Sequence, residues 1–386
     1  MSQPPLRRPN RFEIDLNAIR HNISEIRQVV GDDAQIIAAL KGNGYGFGLE
    51  EVARITASCG CNAIAVADLA DAAELREQGI DLPILLYAGH VTDASTVAAV
   101  EHANVMPTVF HRMAADTYSS LATKTINIFV KIDIGLERLG VDPEDAIQLI
   151  KYICSLPNLK IQGLYTHVDV PGEGDVPSYI SWQLDRYFDV CRDLKVLGID
   201  IPIKFVSSSA VLRYTREFNL DAVDPGHILF GLTPPGPSTS EMKLQPVFCS
   251  LTSHLIHIKE VVRHEYREMV PFQLRKGLRL GVIPIGLRDG MASLTCGYVL
   301  VRGHRVQILG PFSLEHTRID LTDIPDAEIG DEVVIIGQQE RNVIKPSEVM
   351  EFQGISVKAA LALNVGEGVS RVFLESATAG YLFIIG

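Results

Sequence analysis

The sequence predicts an α/β fold, in which a (β/α)8 TIM-type barrel is followed by a smaller, mostly β C-terminal domain. Eight short apolar runs alternate with amphipathic stretches between residues 35 and 230. Continuous apolar runs separated by helices are typical of parallel strands buried on both faces, and eight such units favour a barrel. A doubly wound open sheet is the alternative, but the first run lacks the glycine fingerprint with which that fold binds dinucleotides.

The predicted elements follow one another in a regular order. We interpret as barrel strands the runs QIIAAL (35–40), NAIAVA (62–67), PILLYA (83–88), VMPTVF (105–110), NIFVKI (127–132), IQGLYT (161–166), IKFVSS (203–208) and AVDPGHILF (222–230). Helical patterns lie between them, for example at 70–78, 146–154 and 181–197.

A change of pattern marks the domain boundary. The stretch 231–240 is rich in Pro, Gly and Ser, which indicates a linker, and short strands with glycine turns follow it. We therefore expect a barrel domain over residues 1–240 and a β-rich domain over residues 241–386.

Composition excludes several classes of protein. The 386 residues are 47% hydrophobic and 21% charged, and their formal charge is −12. We therefore expect a packed core and neither nucleic-acid nor anionic-membrane binding. No apolar run reaches the length of about 18 residues that a transmembrane helix needs, and the N-terminus does not resemble a secretory signal. The six cysteines form no C-x-x-C pair, so we expect reduced thiols, a cytoplasmic protein and no metal site.

Polar and charged residues lie at the ends of the predicted strands. Barrel active sites form at the C-terminal ends of the strands, so these residues are expected to converge on one rim. They are Lys41 after the first run, Lys131 and Arg138 at and after the fifth, His167 after the sixth, Ser208 and Ser209 after the seventh, and Asp224 and Gly226 in the eighth.

The residue types on this rim predict a cofactor. A lysine that ends a buried strand is costly unless it is neutralised, paired or used covalently, for instance as a Schiff base. The glycines around Lys41 allow close approach of the backbone to a ligand, and Tyr45 offers a hydroxyl. The serines and the Pro225–Gly226 turn offer hydroxyl and amide donors for a phosphate. Together these features predict pyridoxal phosphate.

At these residues the chain resembles the alanine racemase family, the fold-type III pyridoxal-phosphate enzymes. The matching segments occur in family order over residues 12–375. They include RFEIDLNAIRHNISEIRQ, AALKGNGYGFG, VKIDIGLERLGV, GLYTHVD, VDPGHILFGL, GVIPIGLRDG and ILGPFSLEHTRIDL. The resemblance implies a homodimer that acts on a small amino acid, with each active site completed by the partner's β domain.

The resemblance also implies roles for the residues on the rim. Lys41 would bind the cofactor as a Schiff base and act as an acid/base, and Arg138 would bind the substrate carboxylate. Lys131 matches a lysine that is carbamylated in many relatives and would orient Arg138. His167 would lie by the pyridine ring. The phosphate would be bound by Tyr45, Ser209, the amides of Gly226 and His227, and Ser208 beside them.

Four positions depart from the family pattern. Asp224 replaces an arginine that contacts the pyridine nitrogen, and Leu287 replaces the tyrosine that serves as second base. Leu314 begins the segment that replaces a Met–Asp pair, and Lys358 falls where the family has a phosphate-binding tyrosine. Racemisation needs an acid/base on each face of Cα.

Three alternatives therefore stay open. The first is an amino-acid racemase whose reaction has diverged, with Arg288, Asp289, Tyr298 or Lys358 as the replacement base. The second is a one-base lyase that decarboxylates, cleaves or eliminates. The third is a non-catalytic protein that binds pyridoxal phosphate.

Overall fold

The computed structural model describes residues 7–87, 90–234, 236–261, 269, 272, 277–355 and 359–375. The chain divides into two compact units, Ile19–Gln245 and the combination of Met1–Ala18 with Pro246–Gly386. No helix in the described part of the chain is long and apolar enough to cross a membrane.

The unit Ile19–Gln245 is a nearly closed parallel barrel, as predicted. Strands are numbered along the whole chain, and β1 (Arg11–Asp15) belongs to the other unit. The barrel strands are β2 (Gln35–Ala39), β3 (Ala63–Val66), β4 (Ile84–Leu86), β5 (Met106–Val109), β6 (Ile126–Lys131), β7 (Leu159–Tyr165), β8 (Ile203–Phe205), β9 (Ser207–Ser208) and β10 (Ala222–Asp224). They pair in parallel in the order β8-β7-β6-β5-β4-β3-β2-β10-β9. Each predicted run overlaps one of these strands, except that the seventh run is split into β8 and β9 at Val206, and β6 and β7 begin one and two residues before their runs.

Helices precede and alternate with the barrel strands. They are α1 (Leu16–Val30), α2 (Lys41–Tyr45), α3 (Leu49–Ser58), α4 (Leu69–Glu77), α5 (Ala94–Ala103), α6 (Arg112–Leu121), α7 (Pro143–Ser155), α8 (Val176–Val196) and α9 (Ser209–Tyr214). The sequence of α7 explains its position. Pro143 occupies its first turn with two acidic residues, which suit a helix N-terminus. Leu149, Ile150 and Ile153 form its buried face.

The interior of the barrel is filled by large and small side chains in alternation. Phe129 and Phe205 are fully buried beside small residues such as Ala63 and Ala222. A Cβ atom on Gly163 would lie 2.0 Å from the ring of Phe129, so the glycine makes room for that ring. Close packing of this kind leaves the polar chemistry to the ends of the strands.

The second unit is mostly β, again as predicted. Its sheet contains β1 with β11 (Phe248–His254), β12 (His257–Glu260), β13 (Arg279–Ile283), β14 (Tyr298–Val301), β15 (His304–Leu309), β16 (Thr317–Asp320), β17 (Glu332–Gln339), β18 (Asn342–Ile344) and β19 (Ser370–Leu374). The order is β12-β13-β16-β15-β14-β17-β11-β1-β19, and β18 pairs with β17. The helices α10 (Pro346–Gln353) and α11 (Ala359–Leu363) complete it.

The structure differs from the sequence analysis at the N-terminus. The described residues up to Ala18 belong to the β unit, although we expected residues 1–240 to form the barrel domain, and the later boundary lies after Gln245. β1 pairs antiparallel with β11 and parallel with β19. Its Phe12 and Ile14 are fully buried while Arg11, Glu13 and Asp15 are not. This alternation suits a sheet with one covered face, unlike the continuous apolar runs of the barrel.

Candidate active site

A cavity of about 430 Å³ opens at the carboxyl ends of the barrel strands. Its volume lies in the range of small-molecule sites. Most of the residues predicted for the site line it, namely Lys41, Tyr45, Lys131, Arg138, His167, Ser208, Ser209, Asp224, Gly226 and His227. Tyr87 and Tyr165 line it as well. The structure therefore brings together residues that are up to 186 positions apart, from Lys41 to His227.

A left-handed turn presents Lys41 and Tyr45 to the cavity. Gly42, Asn43 and Gly44 have φ values of 63°, 55° and 60°, and Tyr45 follows with 55°. Glycine adopts this conformation without a steric cost, and asparagine tolerates it, which explains the composition of the KGNGYG segment. The side chain of Asn43 fixes the turn by accepting a hydrogen bond of 2.7 Å from the N–H of Leu49.

Lys41 lines the cavity with a side chain that stays in contact with solvent, and partial burial there lowers the pKa of its amine. Asp224 opposes this effect, and the positive charge of Arg138 adds to it. A lowered pKa increases the share of neutral amine near pH 7, and the neutral amine is the form that acts as a nucleophile or a base.

Asp224 ends β10 and is buried, with its two carboxylate oxygens in different surroundings. Oδ2 accepts a hydrogen bond of 2.8 Å from the hydroxyl of Tyr87. Oδ1 is buried and has no hydrogen-bond partner among the described residues. Burial raises the pKa of Asp224 to about 6, although the Tyr87 hydrogen bond, Lys41 and Lys131 act in the opposite direction. An unpartnered buried oxygen is costly, so it points to a donor supplied by a ligand.

Backbone amides and hydroxyls form a cradle on one side of the cavity. The N–H groups of Gly226 and Ile228 donate to Ser209 Oγ at 2.9 Å and 3.5 Å. A Cβ atom on Gly226 would lie 2.3 Å from the Tyr45 hydroxyl, so only glycine fits beside that tyrosine. Ser208 occupies the N-cap position of α9 but makes no capping hydrogen bond with its side chain. These residues lie together at the cavity, and the phosphate-binding roles predicted for them stay predictions.

A separate loop carries Arg138. The carboxylate of Asp133 accepts backbone N–H bonds from residues 135, 136, 137 and 138, the last at 2.8 Å. Asp133 thus folds the loop, and the described residues show no ion pair between it and the side chain of Lys131 or Arg138. Burial and the nearby Arg138 lower the pKa of Lys131 to about 8.

The cavity is rich in positive charge. Among the residues that the structure describes, Lys41, Lys131 and Arg138 line it with a single carboxylate, Asp224. Burial and the two lysines lower the pKa of His167 to about 3, so its imidazole is neutral at physiological pH. Burial and Lys41 also lower the pKa of His227. This balance favours an anionic ligand such as a phosphate or a carboxylate.

The donor set fits pyridoxal phosphate. A lysine can carry its carbonyl carbon, the Ser209–Gly226 cradle can bind its phosphate, and Asp224 Oδ1 can accept a hydrogen bond from its ring nitrogen. The unpartnered state of that buried oxygen is the observation that distinguishes this fit from a general anion site.

Leu287 and Leu314 lie in the β unit on two neighbouring loops. The N–H of Leu287 donates to Ser313 O and that of Arg288 to Leu314 O, both at 3.0 Å. Both leucine side chains are exposed, by 48% and 65%. The site roles predicted for them from the family pattern stay predictions. Lys358 lies outside the described residues.

Two of the suggested replacement bases are held in ion pairs within the β unit. Asp289 is fully buried and accepts from Arg8 at 2.7 Å, as well as from the N–H of Gly286. Arg288 pairs with Glu315 at 2.8 Å. Tyr298 is 44% exposed at the start of β14.

Sequence reasoning missed Tyr87, the partner of Asp224. The run PILLYA was interpreted as the third strand, and Tyr87 follows the end of β4 within it. The rule that found the other residues, namely position at a strand's carboxyl end, would have found this one too. Tyr87 was counted with the apolar residues of the run because of its aromatic ring, so its hydroxyl was not considered as a polar group.

Family models and known proteins match nearly the whole chain. The model described as alanine racemase, N-terminal domain, matches residues 14–234, and that described as alanine racemase, C-terminal domain, matches residues 248–373. The alanine racemase of Methanococcus maripaludis is 34% identical over 370 residues, covering 94% of this chain and 98% of that protein. The alanine racemase of Halothermothrix orenii is 33% identical over 372 residues, covering 95% and 97%.

Solved structures give the same result. The alanine racemase of Bacillus anthracis with bound L-Ala-P has a TM-score of 0.84 and 28% sequence identity, with 96% of each chain covered. The alanine racemase of Clostridium difficile 630 in complex with cycloserine has a TM-score of 0.82 and 26% identity, again with 96% of each chain covered.

Proposed function

The chain belongs to the alanine racemase family, and from that premise we propose that it is a pyridoxal-phosphate-dependent amino-acid racemase whose catalytic groups have diverged. The observation that carries the proposal is the unpartnered Asp224 Oδ1 in a cavity that also contains Lys41. A lysine for covalent attachment and a carboxylate for the ring nitrogen are the two groups that the cofactor needs most.

Each residue of the cavity has a defined task in this proposal. Lys41 holds the cofactor in the resting enzyme. Ser209, the amides of Gly226 and His227, and the Tyr45 hydroxyl bind the phosphate. Asp224 accepts a hydrogen bond from the ring nitrogen. When bound, pyridoxal phosphate supplies an electron sink that stabilises negative charge at Cα of an amino acid joined to it.

The cations of the cavity orient the substrate and control protons. Arg138 binds the substrate carboxylate, for which the planar guanidinium offers two parallel hydrogen bonds. Lys131, with or without a carbamate, keeps Arg138 in position. Lys41 takes the proton from Cα on one face, and its lowered pKa supports this role because more of the amine is neutral near pH 7. His167 stays neutral and packs beside the ring.

A racemase needs a second proton donor on the opposite face of Cα. Leu287 has no titratable group, and Arg288 and Asp289 are committed to ion pairs with Glu315 and Arg8. Of the replacement bases considered, Tyr298 and Lys358 remain as candidates for the second proton donor.

A one-base lyase is therefore the second candidate function. The observation that favours it is the exposed leucine at position 287, where the family has its tyrosine base. A non-catalytic carrier is the least supported alternative, because such a protein has no use for Arg138.

We also propose a homodimer, in which the partner's β unit, with Leu287 and Leu314, completes each active site. The support for this arrangement is membership of the alanine racemase family over both domains, since the resemblance implies a homodimer. Light scattering should give twice the 42.3 kDa mass of the chain, and a stable monomer would contradict it. A cytoplasmic location is also proposed, supported by the six free cysteines, because disulfides are rare there.

Reduction with borohydride tests where the cofactor is attached. Wild-type protein loaded with pyridoxal phosphate is reduced, digested and mapped by mass spectrometry. We expect the pyridoxyl group on Lys41, and its loss in Lys41→Ala. Lys131→Ala is the matched control, because that lysine lines the same cavity and also has a lowered pKa. Labelling that moves to Lys131 or is absent in the wild type would contradict the proposal.

A panel of D- and L-amino acids then separates the reaction classes. Conversion of either enantiomer into the other supports the racemase. Release of carbon dioxide, an aldehyde or an eliminated group from one enantiomer supports the lyase instead.

A further inference from the structure

Tyr87 is placed against Asp224, the carboxylate that lines the cavity. It follows β4 at the carboxyl end of the barrel, and its hydroxyl donates to Asp224 Oδ2 at 2.8 Å. Among the described residues, no other side chain donates a hydrogen bond to Asp224. The amine of Lys41 lies 5.9 Å from the centre of the Tyr87 ring, so the tyrosine borders both of the groups that the cofactor requires.

The hydrogen bond fixes the direction of the carboxylate. A carboxylate is planar, so anchoring Oδ2 and burying the side chain leaves one orientation for Oδ1. That second oxygen is the unpartnered one, and Asp224 lines the cavity. Tyr87 thus determines which oxygen is available to a ligand.

We propose that Tyr87 is a positioning residue, whose hydroxyl holds Asp224 ionised with Oδ1 available to the ring nitrogen of the cofactor, so that this nitrogen stays protonated. The inference rests on the proposed function, because it assumes that pyridoxal phosphate occupies the cavity. It goes beyond it by assigning a role to a residue outside the family-derived set.

The surroundings of Asp224 agree with this role. Burial raises its pKa, and the Tyr87 hydrogen bond is the largest of the influences that lower it again. Lys41 and Lys131 are the cations that act on Asp224 in the same direction. Tyr45 and Tyr165 also face it, and burial raises the pKa of both phenols, so they remain neutral. The pKa of Tyr87 itself is raised well above its usual value, so it remains a donor.

The test uses the holoenzyme loaded with pyridoxal phosphate that carries ¹⁵N in its ring. The ¹⁵N chemical shift reports protonation of that nitrogen, calibrated on free pyridoxal phosphate at acidic and alkaline pH. In the wild type we expect the protonated shift near pH 7, and in Asp224→Asn the unprotonated shift. An unprotonated nitrogen in the wild type would overturn both this inference and the assigned role of Asp224.

Tyr87→Phe then tests the inference alone. Without the hydroxyl, Asp224 becomes the stronger base and competes for the proton. The ratio of protonated to unprotonated ring nitrogen near pH 7 should therefore fall about 10- to 100-fold, the size expected for one hydrogen bond to a charged group. Tyr165→Phe is the matched control, because its hydroxyl meets Thr108 at 3.0 Å rather than Asp224. We expect that variant to keep the wild-type ratio.

A second substitution covers the case in which Tyr87→Phe fails to fold. Replacing Tyr87 with 3-fluorotyrosine keeps the ring and makes the hydroxyl a stronger donor. The ratio of protonated to unprotonated ring nitrogen should then rise rather than fall. A wild-type ratio in the folded Phe variant, or in the fluorotyrosine protein, would overturn the positioning role and leave the proposed function intact.

Discussion

Replacing Asp224 with asparagine should stabilise the cofactor-free protein at neutral pH. Burial raises the pKa of this carboxyl from 3.8 to about 6. A gap of about 2 pH units between the unfolded and folded chains corresponds to about 3 kcal/mol at 1.36 kcal/mol per unit. Asparagine retains an oxygen that can accept the Tyr87 hydrogen bond but carries no charge, so the variant avoids this cost.

The pH dependence of this gain in stability tests whether it comes from the ionisation of Asp224. Because the folded pKa is the higher one, Asp224 costs no stability below pH 3.8, and its cost grows as pH rises toward 6. Above that pH the cost is constant. The advantage of Asp224→Asn should therefore be about half as large at pH 5 as at pH 7.5. In thermal melts, the melting temperature of a unit of this size changes by about 2–4 °C per kcal/mol, so we expect an increase of roughly 6–12 °C at pH 7.5.

Asp133→Asn provides the control, because this substitution should lower the stability of the protein rather than raise it. Burial alone would raise the pKa of Asp133, but its backbone hydrogen bonds outweigh burial and lower the pKa. Its stabilising effect is present above the unfolded pKa and is lost only as pH falls through the lower folded value. Asp133→Asn should thus be less stable than the wild type by the same amount at pH 5 and pH 7.5. An Asp224→Asn advantage that does not change between these pH values would refute the reasoning.

Three further predictions concern the site. Leu287→Tyr should create or raise racemisation by restoring a proton donor, whereas Leu314→Tyr on the neighbouring loop should not. Equal rates in chirality assays of the two variants would weaken the argument from the missing base. Gly226→Ala should weaken pyridoxal-phosphate binding at least about 10-fold, because the new methyl would lie 2.3 Å from the Tyr45 hydroxyl. An unchanged affinity in a fluorescence titration would contradict phosphate binding at Gly226. Arg138→Lys should raise KM about 10-fold or more with a smaller change in kcat, since lysine lacks the paired donors; an unchanged KM would exclude carboxylate binding.

The barrel strands were predictable because of where they lie in the fold. Strands covered on both sides must be apolar throughout, so runs such as NAIAVA and PILLYA are recognisable by composition alone. Lys41 and Asp224 stood out against that background as polar residues at strand ends. β1 was assigned to the wrong unit because pairing partners such as β11 and β19 lie more than 230 residues away. No local pattern reports pairing over that distance.

The site was predictable in membership but not in its internal contacts. Composition and spacing indicated that Asp224 lies at the rim, but not that Tyr87 bonds one of its oxygens and leaves the other free. Likewise, Asp133 could be read as an ionic partner of Lys131 or Arg138, whereas in the structure it binds four backbone amides. Such details depend on side-chain orientation, which the sequence pattern does not specify.

The measurement that tests the central claim most directly is deuterium incorporation at Cα. Wild-type enzyme with pyridoxal phosphate is incubated in deuterated water with one enantiomer of a small amino acid. The enantiomers are then separated by chiral chromatography, and their deuterium content is measured by mass spectrometry. A diverged racemase should accumulate the opposite enantiomer with deuterium at Cα, and Lys41→Ala should abolish this. Exchange confined to the starting enantiomer, or cleavage of the amino acid without inversion, would contradict the racemase assignment.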